Sequence, residues 1–154
     1  MDNRENISQD EHGNGRVEVI DLLSSAKDLM LRRFDWMTEG SADAILRLCL
    51  KNSGLLMIPL ENPLALIGYY RFWPRLLEAV EEQDFVTLGG ENLTQGPILY
   101  VAAFICPARG YEILRDILRI LNPYALSFHR LNKRTGQFRF NCLRYRGFRK
   151  EVHG

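Results

Sequence analysis

Along the chain the spacing of apolar residues switches between a helical and an extended period, and each switch marks an element. Ile20, Leu23, Lys27, Met30, Leu31 and Phe34 are spaced for one face of a helix that begins near Val17. Arg32 and Arg33 fall at its end, where the helix dipole favours cations. Gly40 breaks the chain, and Ser41 is the expected N-cap of a second helix with Ala44, Ile45, Leu48 and Cys49 on its apolar side. Asn52-Ser53-Gly54 ends that helix. The period then becomes extended. Leu55 to Leu60 and Leu64 to Trp73 flank the turn Glu61-Asn62-Pro63 and predict a β-hairpin. Arg75 to Gln83 predicts a short helix with Leu76, Leu77 and Val80 inward, and Gly89 to Gly96 predicts a loop.

The second half carries the strongest signals. Ile98 to Ile105 is almost continuously apolar, as expected of a central strand. Pro107 ends it. Gly110 to Leu121 places Leu114, Ile117, Leu118 and Leu121 on one stripe and Glu112, Arg115, Asp116 and Arg119 opposite, an amphipathic helix. Ala125 to Leu131 and Gln137 to Tyr145 predict two strands joined by a turn over Lys133-Arg134-Thr135-Gly136. The order α-α-β-β-(insert)-β-α-β-β predicts an α/β (α+β) domain built on a mixed sheet. In it the 98–105 and 125–131 strands run parallel, joined by the 110–121 helix as a right-handed crossover. Five or more strands are expected.

Composition narrows the picture. Of 154 residues, 46% are apolar and 25% charged, which predicts one globular domain over residues 17–154. Residues 1–16 are polar apart from Met1 and Ile7 and predict a disordered tail that adds little to stability. That polar stretch does not fit a secretory signal, and the longest apolar run, Ile98 to Cys106, has 9 residues where a membrane-spanning helix needs about 20. The three cysteines, Cys49, Cys106 and Cys142, show neither a disulfide framework nor metal-site spacing, so a reduced, cytoplasmic protein without a metal is expected.

The net charge of +1 hides an asymmetry. From Pro123 to Gly154 the charge is +7, and the first 122 residues carry −6. The basic segment from Arg130 to Lys150 suits a phosphate-bearing ligand, a nucleic acid or an acidic partner surface, or it docks on the acidic remainder of its own chain. Aromatics interleave with the basic residues at Arg139-Phe140, Arg144-Tyr145-Arg146 and Phe148-Arg149, a pattern that permits RNA contact.

One stretch has the form of a phosphate cradle. Cys106-Pro107-Ala108-Arg109-Gly110-Tyr111-Glu112 ends a strand and opens a helix, where unpaired backbone N–H groups and the helix dipole favour a pyrophosphate. Arg109-Gly110 sits where the GCN5-related N-acetyltransferase (GNAT) superfamily has the Arg-Gly of its Arg/Gln-x-x-Gly-x-Gly/Ala loop. Cys106 stands at the first basic position of that pattern, and Glu112 near its second glycine. The order of elements over about residues 64–146 also resembles this superfamily. The closest pattern is the toxin-activating lysine acyltransferase branch, which shares the hairpin in place of a final helix. The resemblance implies an acyl-CoA-dependent N-acyltransferase with acetyl-CoA or another acyl-CoA as donor and a protein as possible acceptor. Its pyrophosphate would lie on Cys106, Arg109, Gly110 and Tyr111, where the 98–105 and 125–131 strands part. That branch uses an N-terminal His and an Asp before the central strand. Here the tail offers His12, and the nearest carboxylate is Glu91 in Gly90-Glu91-Asn92-Leu93-Thr94.

Acyl transfer from a thioester needs a base for the amine and an acid for the leaving thiolate. Glu91 is either that base or a solvated loop acid. His129 is either catalytic or a hydrogen-bonded histidine of its strand. Tyr100 is either part of the site or a core aromatic, and Cys106 either a nucleophile or a strand-end thiol. In the aromatic strand, alternation puts Tyr69, Arg71 and Trp73 on one face and Tyr70 and Phe72 on the other. Three functions stay open: an acyltransferase, a non-catalytic structural or interaction protein on the same fold (a phage accessory protein, for example), and a nucleic-acid-binding module.

Overall fold

A computed structural model describes residues 23–58, 65–106 and 110–144, the side chains of 110 and 111 excepted. The N-terminal tail with His12, the hairpin turn at 59–64, the Pro107–Arg109 segment and residues 145–154 lie outside the described residues.

The chain is a mixed α/β structure. Helix α1 covers described residues 23–33, and α2 (Glu39–Lys51) follows. Strands β1 (Leu55–Ile58) and β2 (Ala65–Phe72) come next, then a 3₁₀ turn at Pro74–Leu76 and two single-turn helices, α3 (Leu77–Glu81) and α4 (Phe85–Gly89). β3 (Ile98–Ile105), α5 (Gly110–Leu121), β4 (Ala125–Leu131) and β5 (Phe138–Arg144) complete the order. The five strands form one sheet in the order β1-β2-β3-β4-β5. All neighbours are antiparallel except β3 and β4, which are parallel. The expected crossover is therefore present, and β3 is the central strand.

One local expectation is corrected and one element is added. The N-cap of α2 is Thr38, not Ser41: Thr38 Oγ1 accepts from the Ser41 backbone N–H at 3.2 Å, and Gly40 lies inside the first turn. The flanking apolar residues decide between the two caps. With Thr38 as cap, Met37 and Ala42 occupy the positions of a hydrophobic staple, and both enter the core. The insert before β3 also holds a helix, α4, capped by Asp84, whose carboxylate accepts from the Thr87 N–H at 3.2 Å and its hydroxyl at 2.7 Å. Those bonds hold the Asp84 carboxyl below its ordinary value.

The main core lies between the helices and one face of the sheet. Ala26, Met30, Ile45, Leu48 and Cys49 from α1 and α2 meet Leu66, Tyr70, Phe72, Tyr100 and Ala103 from the strands. Tyr70 and Phe72 are buried as alternation requires, while Trp73 is 51% exposed. Ile67 and Leu99 point to the other face and are buried too, as is Leu118 from the apolar stripe of α5. Burial on both faces explains the unbroken apolar run of β3.

The loop before β3 is pinned by a buried side chain. Asn52, 7% exposed, donates to Leu48 O at 2.7 Å and accepts from Leu93 N–H at 3.0 Å. Leu93 O in turn accepts from Arg71 N–H at 2.8 Å, next to the point where Gly54 O accepts from Tyr69 N–H at 2.7 Å. The segment thus continues the edge that β1 begins. Among the described residues no helix is long and apolar enough to cross a membrane.

Candidate functional site

The central feature is a parting of parallel strands. β3 and β4 pair at Ile98–Ala125, Leu99–Leu126 and Tyr100–Ser127, and the register stops there. The cause lies on the other edge of β3. Its register with β2 runs Tyr69–Val101 and then Gly68–Ala103, so Ala102 is an extra residue, a β-bulge. A bulge bends its strand and increases the local twist. β3 therefore turns away from β4 just past Tyr100, while β4 stays with β5 along its whole length. Ser127, fully buried, marks the last joined position by donating its hydroxyl to Leu99 O at 3.1 Å.

The gap is a cleft of about 800 Å³. Its walls are Tyr100 to Phe104 of β3 and Leu126, Phe128, His129 and Arg130 of β4. Phe34, Trp36 and Met37 of the α1–α2 connection close one side with Phe138 and Phe140 of β5. Trp36 packs edge-on against Phe138 with centroids 4.5 Å apart, and both are nearly half exposed. Glu81, Glu82 and Gln83 reach the cleft from the α3–α4 connection, and Leu114 reaches it from α5.

At the fork sits a hydrogen-bonded pair. Tyr100 Oη lies 2.6 Å from His129 Nδ1, and His129 Nε2 lies 2.8 Å from Glu81 O. A carbonyl only accepts, so Nε2 carries a proton and donates to Glu81. In the neutral ring Nδ1 is then the acceptor, and the Tyr100 hydroxyl donates to it. Gln83 Nε2 donates to Tyr100 Oη at 3.5 Å, the long limit for such a bond. Tyr100 is 4% exposed, and burial pushes its phenol up to about 12, with the Gln83 bond working against the rise. The hydroxyl is thus a donor at neutral pH. His129 also stands edge-on to Tyr100 and tilted against Phe140.

The structure brings only some of the sequence candidates together. His129 lines the cleft. Tyr100, which the sequence left between core aromatic and site residue, is buried in the core and also lines the cleft. Glu91 does not line this cleft. Arg75 donates to it through two nitrogens, at 3.1 and 2.7 Å, and that pairing holds the carboxyl below its ordinary value. Cys106 follows the end of β3, half-buried, its thiol pushed up by burial. Gly110 opens α5 and Tyr111 follows in its first turn; Arg109 lies outside the described residues. Glu112, in the same turn, is exposed. Among the described residues no group of three or more His, Cys, Asp or Glu is placed to hold a metal ion.

Phe34, Trp36, Met37 and Glu81 to Gln83 were missed as site residues. Their sequence signal is weak: an aromatic pair at the end of one helix and an acidic pair at the end of another. No protein-family model matches the chain, and no curated protein matches it.

Proposed function

We propose that this chain is an acyl-CoA-dependent N-acyltransferase whose reacting groups meet between β3 and β4. One observation carries the reading: two parallel strands part at a bulge, and a Tyr–His pair stands at the fork. A cleft of about 800 Å³ falls within the usual range for small-ligand sites, and its aromatic walls suit an acyl chain and its linker. The opening of α5 at Gly110 offers backbone N–H groups to a pyrophosphate. A thioester in the cleft supplies the activated acyl group.

The residues of the chain then move protons. The acceptor amine displaces the long Gln83 bond and donates to Tyr100 Oη. As the amine forms its bond to the acyl carbon, Tyr100 takes the amine proton and passes its own to His129 Nδ1. The imidazolium keeps its Nε2–H on Glu81 O, which stabilises the charge. As the carbon–sulfur bond breaks, the relay runs backwards and the proton leaves on the thiolate. Glu91, held by Arg75, has no part in this scheme.

Calorimetry with acetyl-CoA tests the reading. Millimolar acetyl-CoA is expected to saturate the protein, and Gly110→Val to abolish binding by filling the space the pyrophosphate needs. Tyr100→Phe is expected to retain binding and slow any transfer by about 10² or more. Equal binding by wild type and Gly110→Val, or none at millimolar ligand, removes the reading. A second reading, a non-catalytic interaction protein on this fold, is favoured by the full occupancy of both His129 ring nitrogens. It gains if acetyl-CoA binds and no amine is acylated.

A further inference from the structure

The hairpin β4–β5 carries an arrangement that folding alone does not favour. Residues 125–144 contain Arg130, Lys133, Arg134, Arg139 and Arg144 and no acidic residue. Arg130 and Arg139 are direct cross-strand partners, so their side chains leave the same face of the sheet side by side. Like charges in that relation repel. No carboxylate relieves them: among the described residues the ion pairs are Lys27–Asp43 and Arg75–Glu91. Both arginines are exposed, and Arg130 lines the cleft.

Alternation along β4 gives this pair its direction. His129 and its partner Phe140 point to the helix-packed face with Tyr100; Arg130 and Arg139 point to the other. The cleft is therefore polarised. Glu81 and Glu82 line it near His129, and Arg130 lines it from the opposite face, the face it shares with its strand partner Arg139.

We propose that Arg130 and Arg139 clamp a phosphate or pyrophosphate group of a small ligand whose organic part occupies the cleft. Two guanidiniums a strand spacing apart present parallel N–H donors that match phosphate oxygens, and an anion between them removes their repulsion. A small ligand fits better than a nucleic acid, because Arg130 itself lines the aromatic cleft and Arg139 stands beside it as its cross-strand partner. The clamp rests on the reading above only for the identity of the ligand, which would then be the phosphate-bearing end of coenzyme A.

Calorimetry at 50 and 300 mM NaCl with the full chain tests it, using inorganic pyrophosphate, coenzyme A and phosphate-free pantetheine. Pyrophosphate and coenzyme A are expected to bind the wild type. Arg130→Gln/Arg139→Gln is expected to weaken both by about tenfold or more, leaving pantetheine unchanged. Lys133→Gln/Arg134→Gln, at the turn, is expected to weaken them by less than about threefold. Circular dichroism should show both double variants folded. Pyrophosphate binding that the arginine variant loses, with no binding of coenzyme A, supports the clamp and removes the acyl-transfer reading. Coenzyme A binding that the arginine variant keeps overturns the clamp and leaves that reading standing. Equal losses in the two double variants overturn the clamp in favour of a diffuse positive field. So does a single-stranded oligonucleotide that outcompetes pyrophosphate for the same arginines, and so does failure of pyrophosphate and coenzyme A alike to bind.

Discussion

Replacing Tyr100 by Phe isolates a side-chain bond that joins the parted strands past the end of their ladder. The ring keeps its shape, so no cavity opens beside Tyr70, whose centroid lies 5.0 Å away. What is lost is an O–H donor 2.6 Å from His129 Nδ1 and a weak acceptor for Gln83. Gln83 is exposed and turns to water at little cost. His129 is half-buried and its Nε2 is fixed on Glu81 O, so the ring cannot rotate to rescue Nδ1 without breaking a second bond. An orphaned acceptor in a buried site costs about 1–3 kcal/mol, and partial access of water brings the expectation to about 1–2 kcal/mol. For a chain of this size that corresponds to a fall in melting temperature of about 2–8 °C. Urea unfolding at pH 8 measures the difference, and long-range ¹H–¹⁵N correlation of the imidazole reads its tautomer. The wild type should show a protonated Nε2 and a hydrogen-bonded, unprotonated Nδ1. A protonated Nδ1 in the neutral ring, or a Tyr100→Phe midpoint equal to the wild type, would refute the assignment of donor and acceptor.

Gly54→Ala should cost about 3 kcal/mol or more, since a Cβ there would lie 1.8 Å from Tyr69 O, and Gly40→Ala, with nothing within 4 Å, should stabilise α2 by about 0.5–1 kcal/mol; thermal denaturation ranks the two. Toward a thiol reagent such as Ellman's, exposed Cys142 should react first and half-buried Cys106 more slowly, while Cys49, buried with its thiol pushed up to about 12, should react only on unfolding. Glu91→Gln should separate from wild type in a sign-specific way with pH. Pairing with Arg75 lowers the folded-state pKa below its ordinary 4.5, so the contribution is present above that value and lost as pH falls through the folded pKa. The two proteins should unfold at different urea concentrations at pH 7, and the difference should shrink as the pH falls below 4.5 and through the folded-state pKa.

Periodicity made the scaffold legible. The run Ile98–Ile105 marked the central strand because burial on both faces removes the need for polar alternation. The stripe Leu114–Leu121 marked the crossover helix because one face alone is buried. The cap of α4 was legible in principle, since Asp84 stands three residues before Thr87, but a single helical turn has no period to detect. The site was less legible. Its key contact joins Tyr100 to a histidine 29 residues away, and the register of two parallel strands sets that contact. Glu91 stood out in sequence as a carboxylate flanked by glycines, yet Arg75, 16 residues earlier, claims it. A partner that the fold supplies at a distance leaves no trace beside either residue.

The bulge shows why one extra residue has so large an effect. Parallel strands exchange evenly spaced, slanted bonds and stay joined only while their twists agree. β3 is paired on both sides up to Tyr100, so it cannot bend there. Inserting Ala102 against β2 forces the bend immediately after, where β4 holds to β5 through Leu131 and Phe138 and cannot follow. The strands separate toward the end where β3 runs into the segment that opens α5. Small residues make this feasible. Ala102 and Ala103 leave room at the bend, and Gly68 opposite Ala103 leaves room for Cys49, whose sulfur would lie 3.1 Å from a Cβ there. A larger side chain at 68 would press on α2 and shift the strand that sets the bulge. The cleft therefore depends on the packing of α2 against β2 as much as on its own walls.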